Sequence, residues 1–146
     1  MVTTERTAND SPDPQLAKLV EASGHPDPSD ISLPDGDDAT KAWLNGDGAP
    51  VVAILAASQP LWKEGRTACA SVAKSLDDVG TPTDVMSAAS ATPEAATRDI
   101  LVELHATLGR LLATCNDEQA FAAALADFAW QWALADRRLT DLGVER

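Results

Sequence analysis

Several residue types are scarce in this chain of 146 residues, which has no tyrosine, two phenylalanines and two cysteines. Two cysteines are too few for the disulfide framework of a small secreted scaffold. Cys69 and Cys115 fall on apolar faces of predicted helices, so we expect two small buried side chains. A bridge between them is possible only if their helices are neighbours in the fold.

Basic residues are also scarce. Lysine and arginine together number 11 against 23 aspartates and glutamates, which gives a formal net charge of −12. Such a charge repels the phosphates of nucleic acids and anionic lipids, so direct nucleic-acid binding is not expected. Residues 1–50 carry ten acidic and three basic groups, a net −7, whereas residues 51–146 carry thirteen and eight, a net −5.

Long apolar runs are missing as well. No stretch approaches the roughly 20 apolar residues that a membrane span needs, and the first residues lack the apolar core of a signal peptide. We therefore predict no membrane association and a cytoplasmic location. The polar segment 1–12 is predicted to be a disordered tail. Residues 13–146 are predicted to form one helical domain, which is large enough to bury a core without stabilising disulfides or bound metal ions.

Helix signals, in contrast, are abundant. Asp13-Pro14 and Thr92-Pro93 each combine an N-cap residue with proline at the first helical position. The apolar segment 50–59 fits either a buried strand or a buried helix, and we favour a helix because a single strand would have no partner. Pro60 is expected to kink or break this helix, and Gly65 is a second candidate for a break. A further short helix is predicted over 81–91.

The strongest pattern follows Thr92. Apolar residues recur at steps of three and four on two successive segments, namely Leu101, Leu104, Leu108, Leu111 and Cys115, then Phe121, Leu125, Phe128, Trp132, Ala135, Leu139 and Leu142. Asn116 is predicted to cap the second segment. Two such helices joined by a short turn pack antiparallel. We therefore predict an all-α, single-domain helical bundle of about five to seven helices with a long C-terminal antiparallel helical hairpin.

A second apolar face on the last helix is a candidate binding surface. Trp130 lies two positions before Trp132 and shares its face with Leu134. Either this face packs on the helices of residues 50–79, which places Trp130 in the core, or the two side chains anchor a protein partner.

The acidic loop that contains Asp35, Asp37 and Asp38 is a second candidate contact for a partner. Its alternative role is to cap the following helix, where carboxylates face the positive end of the dipole. It lacks the ligand spacing of a calcium loop.

Candidate catalytic residues are few. Asp99 and Glu103 share a helix face and could act as an acid/base pair or bind a cation, whereas His105 lies about 200° around the helix from Glu103. His25 stands in a proline-rich loop, and no nucleophile-elbow motif supports a Ser–His–Asp site. No cofactor and no metal site is predicted.

Three functions are compatible with these observations. The first is a non-catalytic interaction module, a subunit, adaptor or regulator, that binds a protein partner or a second copy of the chain. The second is an acidic mimic of nucleic acid that inhibits a basic protein. The third is a small helical enzyme that uses Asp99, Glu103 and His105. The absence of a catalytic motif favours the first.

Overall fold

The computed structural model describes residues 14–46, 49–79 and 92–144, and within these ranges every regular element is a helix. The α-helices are α1 (Pro14–Ala22), α2 (Asp38–Asn45), α3 (Ala49–Glu64), α4 (Cys69–Val79), α5 (Pro93–Ala113) and α6 (Glu118–Asp141). Two 3-10 segments span Pro28–Asp30 and Gly65–Ala68. The predicted all-α class is confirmed, and 50–59 is helical. The predicted tail 1–12 and the predicted helix 81–91 lie outside the described residues.

Helices α5 and α6 form the predicted C-terminal hairpin. Leu104, Leu111 and Phe128 are completely shielded from solvent along its seam. The start of α6 differs from the prediction, because Asp117 and not Asn116 caps it: its carboxylate accepts a hydrogen bond from the Ala120 amide at 3.0 Å. The turn between α5 and α6 is therefore one residue longer than predicted. Within this turn, the Asp117 amide donates a hydrogen bond to the Thr114 carbonyl.

Helix α3 runs through Pro60 and ends four residues later, so of the predicted kink or break at this proline the break is wrong. Proline removes the amide that would bond to the Ala56 carbonyl. Ala56 is exposed, so water can satisfy that carbonyl and the helix continues. The break comes at Gly65, whose φ of 66° lies in the left-handed region that glycine adopts at little cost.

Three of the remaining described helices pack against the hairpin. Helices α1 and α3 lie against α6, and α2 lies against α5. Between α3 and α6, the rings of Trp62 and Trp132 meet edge to face with centroids 5.3 Å apart. The Trp132 indole donates a hydrogen bond to the Leu55 carbonyl at 2.8 Å, which joins the two helices at their crossing.

The two cysteines form a disulfide bond, and their Cα atoms are 6.6 Å apart. The expectation of two separate buried thiols is therefore wrong, and both residues are only partly buried. The 3-10 segment after Gly65 places the first residue of α4 beside the turn that follows α5. Arg66 reinforces this contact, because its Nε donates to the Cys115 carbonyl at 2.8 Å.

Candidate functional site

The partly buried Trp130 belongs to a clamp on the loop between α1 and α2. Its indole Nε1 donates a hydrogen bond to the Pro26 carbonyl, and its ring lies 5.0 Å from the His25 ring between centroids. Two helical turns further on, Arg137 donates to the carbonyls of Pro28 and Ile31. We call these two side chains of α6 the loop clamp. They give a loop without helical periodicity a defined path.

Leu134, the predicted companion of Trp130 in partner binding, is 5% exposed and belongs to the core. Trp130 instead contacts His25 and Pro26 of the loop between α1 and α2, whereas the first interpretation placed this face on the helices of residues 50–79 and Trp130 in the core. The Leu134 side chain is therefore not available at the surface of the monomer, and partner binding at Trp130 stays a prediction.

The three aspartates of the acidic loop have different roles. Asp37 caps α2 by accepting hydrogen bonds from the Thr40 hydroxyl at 2.6 Å and the Thr40 amide at 2.9 Å. These bonds hold the pKa of Asp37 below its ordinary value, chiefly through the hydroxyl. Asp38 occupies the first turn of α2, where a carboxylate is favoured by the dipole. Asp35 instead lines a cleft described below.

The predicted catalytic residues do not converge. Asp99 and Glu103 lie one turn apart on α5, and Glu103 is exposed. Within the described ranges, no three His, Cys, Asp or Glu side chains come close enough to hold a metal ion.

His25 does meet a carboxylate, because its Nε2 lies 3.2 Å from Asp127 Oδ1. The nearby Ser23 hydroxyl donates to the Val20 carbonyl and accepts a bond from the His25 backbone amide, not from the ring. A nucleophilic serine must instead share a hydrogen bond with the imidazole. These three residues therefore lack the geometry of a catalytic triad.

An open groove runs between α3 and α6, with a volume of about 770 Å³. Buried side chains of Leu55 and Trp132 form its floor. Its other described lining residues are Ala56, Gln59, Asp136, Thr140 and Val144. We call it the α3/α6 groove. It offers apolar surface beside one carboxylate, an amide and a hydroxyl.

A smaller concavity, of about 350 Å³, lies where the loop before α2 meets the end of α6. We call it the Arg138 cleft. Apolar, cationic and acidic side chains all line it, namely Leu33, Asp35, Gly36, Lys41, Arg137, Arg138, Asp141 and Leu142. The loop clamp supports one wall, because Arg137 holds the loop and lies 3.4 Å from Asp141.

Arg138 is unusual because its guanidinium is buried, with 3% of the residue exposed. Its Nε donates to the Thr97 hydroxyl at 2.9 Å, and Nη2 lies 3.5 Å from the Pro93 carbonyl. Loss of hydration lowers the pKa of this guanidinium below its ordinary value. Asp141, Asp35 and Asp37 oppose the shift, and the charge of Arg137 adds to it.

Sequence reasoning missed both concavities. Trp132, Asp136 and Thr140 follow one another at steps of four on α6, so one helix face changes from apolar to polar toward its end. That change was a usable signal for the groove. Arg138 carries no such signal, because its burial depends on the loop and on α5 folding over it.

Comparison of the chain with protein-family models, with curated proteins and with solved structures found no match. Among the described helices, none is long and apolar enough to cross a membrane.

Proposed function

We propose that the chain is a non-catalytic interaction module that binds a cationic, partly apolar segment of a partner protein in the α3/α6 groove. The observation that carries this proposal is the groove itself, with an apolar floor and a carboxylate on its wall. Its volume of about 770 Å³ has room for several partner side chains, since ligand pockets in proteins span roughly 300–1,000 Å³.

The negative charge of the groove and of the whole chain favours a basic partner segment. Asp136 is the charged residue among the described groove lining, and it belongs to a chain with a net charge of −12. A basic segment is attracted to such a surface at long range, and an acidic one is repelled. Gln59 and Thr140 add polar atoms at the groove margin, where a bound backbone needs hydrogen-bond partners.

The two alternative functions have less support. Several carboxylates that a nucleic-acid mimic would display serve the fold instead: Asp27, Asp37 and Asp117 cap helices. Glu94 pairs with Arg98 within α5. For an enzyme, Asp99 and Glu103 do not join a third His, Cys, Asp or Glu side chain in a group that could hold a metal ion, within the described residues.

The disulfide bond is informative about the cellular compartment in which the protein functions. Disulfides persist in oxidising compartments and are rare where thiol reductants are maintained. The Cys69–Cys115 bond therefore favours an oxidising compartment over the cytoplasmic location predicted from the sequence. Alkylation and mass measurement of the protein from its native cells would decide this, because a bridged pair stays unmodified without a reductant.

Selection from a random library of displayed 12-residue peptides tests the partner chemistry without assuming its identity. We expect the enriched peptides to combine lysine or arginine with large apolar residues. Asp136→Lys should weaken their binding at least tenfold, about 1.4 kcal/mol. The matched control is Asp77→Lys on α4, which makes the same charge change outside the groove.

Enrichment of acidic peptides, or equal binding to both variants, would contradict the proposal. If the purified chain forms a dimer that Asp136→Lys disrupts, the occupant is a second copy and not a basic partner.

A further inference from the structure

We propose that the Arg138 cleft binds a small zwitterion of the α-amino acid class, with its carboxylate on Arg138 and its ammonium group toward Asp35 and Asp141. This site is independent of the proposed function, because the cleft and the α3/α6 groove share no described lining residue.

The first step in the argument is the state of Arg138. A buried charge is costly unless it is paired and hydrogen-bonded. Within the described residues, the hydrogen bonds of Arg138 use two of its N–H groups and reach neutral oxygens, and it forms no ion pair with a carboxylate. A guanidinium has five N–H groups in a fork that matches a carboxylate. The carboxylates of Asp35, Asp37 and Asp141 act on this charge from a distance, so an incoming carboxylate would supply the direct ion-pair partner that Arg138 lacks.

The second step is the presence of both charge signs around the cavity. Lys41, Arg137 and Arg138 line it together with Asp35 and Asp141. A simple anion would be repelled by the two carboxylates, and a simple cation by the three basic groups. A ligand that carries both charges close together gains from both sets.

The third step is size and shape. A volume of about 350 Å³ lies at the small end of the range for ligand pockets, roughly 300–1,000 Å³. Leu33 and Leu142 supply apolar surface for a side chain. Gly36 contributes backbone alone to the wall, and a Cβ there would meet a methyl group of Leu142 at 1.8 Å. A larger residue at this position would therefore require the Leu142 side chain in the wall to shift.

Nuclear magnetic resonance titration tests the site directly, with the backbone amide of Gly36 as the reporter. The probes are alanine, leucine, glutamate and lysine as free amino acids, each added up to about 10 mM, which corresponds to a weak but measurable affinity. We expect at least one amino acid to shift the Gly36 signal saturably. Its analogues that lack either the amino or the carboxylate group should bind at least tenfold more weakly.

Variants assign the two charges separately. Asp35→Asn should weaken the amino acid at least fivefold and should not weaken the deaminated analogue, since the ammonium contact is lost and the repulsion of an anion by Asp35 is relieved. Arg138→Lys, checked for folding by circular dichroism, should weaken both of these ligands and leave the amine analogue unchanged. Asp38→Asn is the matched control outside the cleft and should change nothing. If no amino acid shifts Gly36, or if the deaminated analogue binds as tightly as its parent, the proposal is overturned.

Discussion

Gly109 is a residue that the folded structure does not require to be glycine. It lies inside α5 and is exposed, and a Cβ built there would meet no atom within 4 Å. A close helix crossing, which would explain a glycine at this position, is therefore absent at this point of the described structure. Glycine in a helix interior costs about 1 kcal/mol relative to alanine, because it loses more backbone freedom on folding.

We expect Gly109→Ala to raise the free energy of unfolding by about 0.5–1 kcal/mol, which is about 1–4 °C in melting temperature for a chain of this size. Urea and thermal unfolding measure this. Gly65→Ala is the matched control, because the φ of 66° at Gly65 should make alanine there destabilising by about 1–2 kcal/mol. Effects of the same sign at both positions would contradict this account.

The loop between α1 and α2 is the element whose path depends most on side chains from elsewhere. It has a single 3-10 turn, Pro28–Asp30. Its backbone carbonyls instead receive hydrogen bonds from Trp130 and Arg137 of the loop clamp. Polar backbone groups in a loop need such partners wherever water is excluded.

Trp130→Phe should keep an aromatic ring, smaller than the indole, and lose the hydrogen bond to the Pro26 carbonyl. We expect amides at 25–31 to exchange hydrogen faster, with a loss of global stability of only about 0.5–1.5 kcal/mol. Hydrogen exchange followed by mass spectrometry measures both effects. Trp132→Phe is the control, since its lost bond joins α3 and α6 and should leave the loop unchanged. Unchanged exchange at 25–31 in Trp130→Phe would show that the clamp does not depend on this bond.

Elements with a strong local pattern were predictable, and those set by distant contacts were not. The spacing of the leucines from Leu101 to Leu111 and the N-cap at Thr92 predicted α5 correctly, because both signals depend on residues close together in the sequence. The continuation of α3 through Pro60 depends on solvent reaching Ala56, and no local signal reports that. For the candidate sites, sequence placed Asp37 correctly at a cap, whereas the burial of Arg138 arises from three elements that meet in space.

At the scale of the whole molecule, the disulfide is the long-range constraint on α4. This helix packs on α3 and on the 3-10 segment before it, and the Cys69–Cys115 bond joins its first residue to the turn that follows α5. Closing a loop with a sequence separation of 46 residues restricts the unfolded chain, which stabilises the folded state in the chain-entropy view.

Replacing both cysteines by alanine should lower the free energy of unfolding by about 2–4 kcal/mol. Urea unfolding of the variant, and of the wild-type chain with and without a thiol reductant, measures this. Reduced wild type and the double variant should agree closely, because both lack the same cross-link. A double variant as stable as the oxidised wild type would show that the rest of the core already fixes α4.

The same bond changes what a single peptide-bond cleavage does to the molecule. Residues 69 to 115 form a closed covalent ring, so a protease that cuts once anywhere inside it leaves the two fragments attached. Such a nicked chain would migrate as one species on a gel until a thiol is added, and would then separate into two. Limited proteolysis run without reductant would therefore conceal cleavage in nearly a third of the sequence.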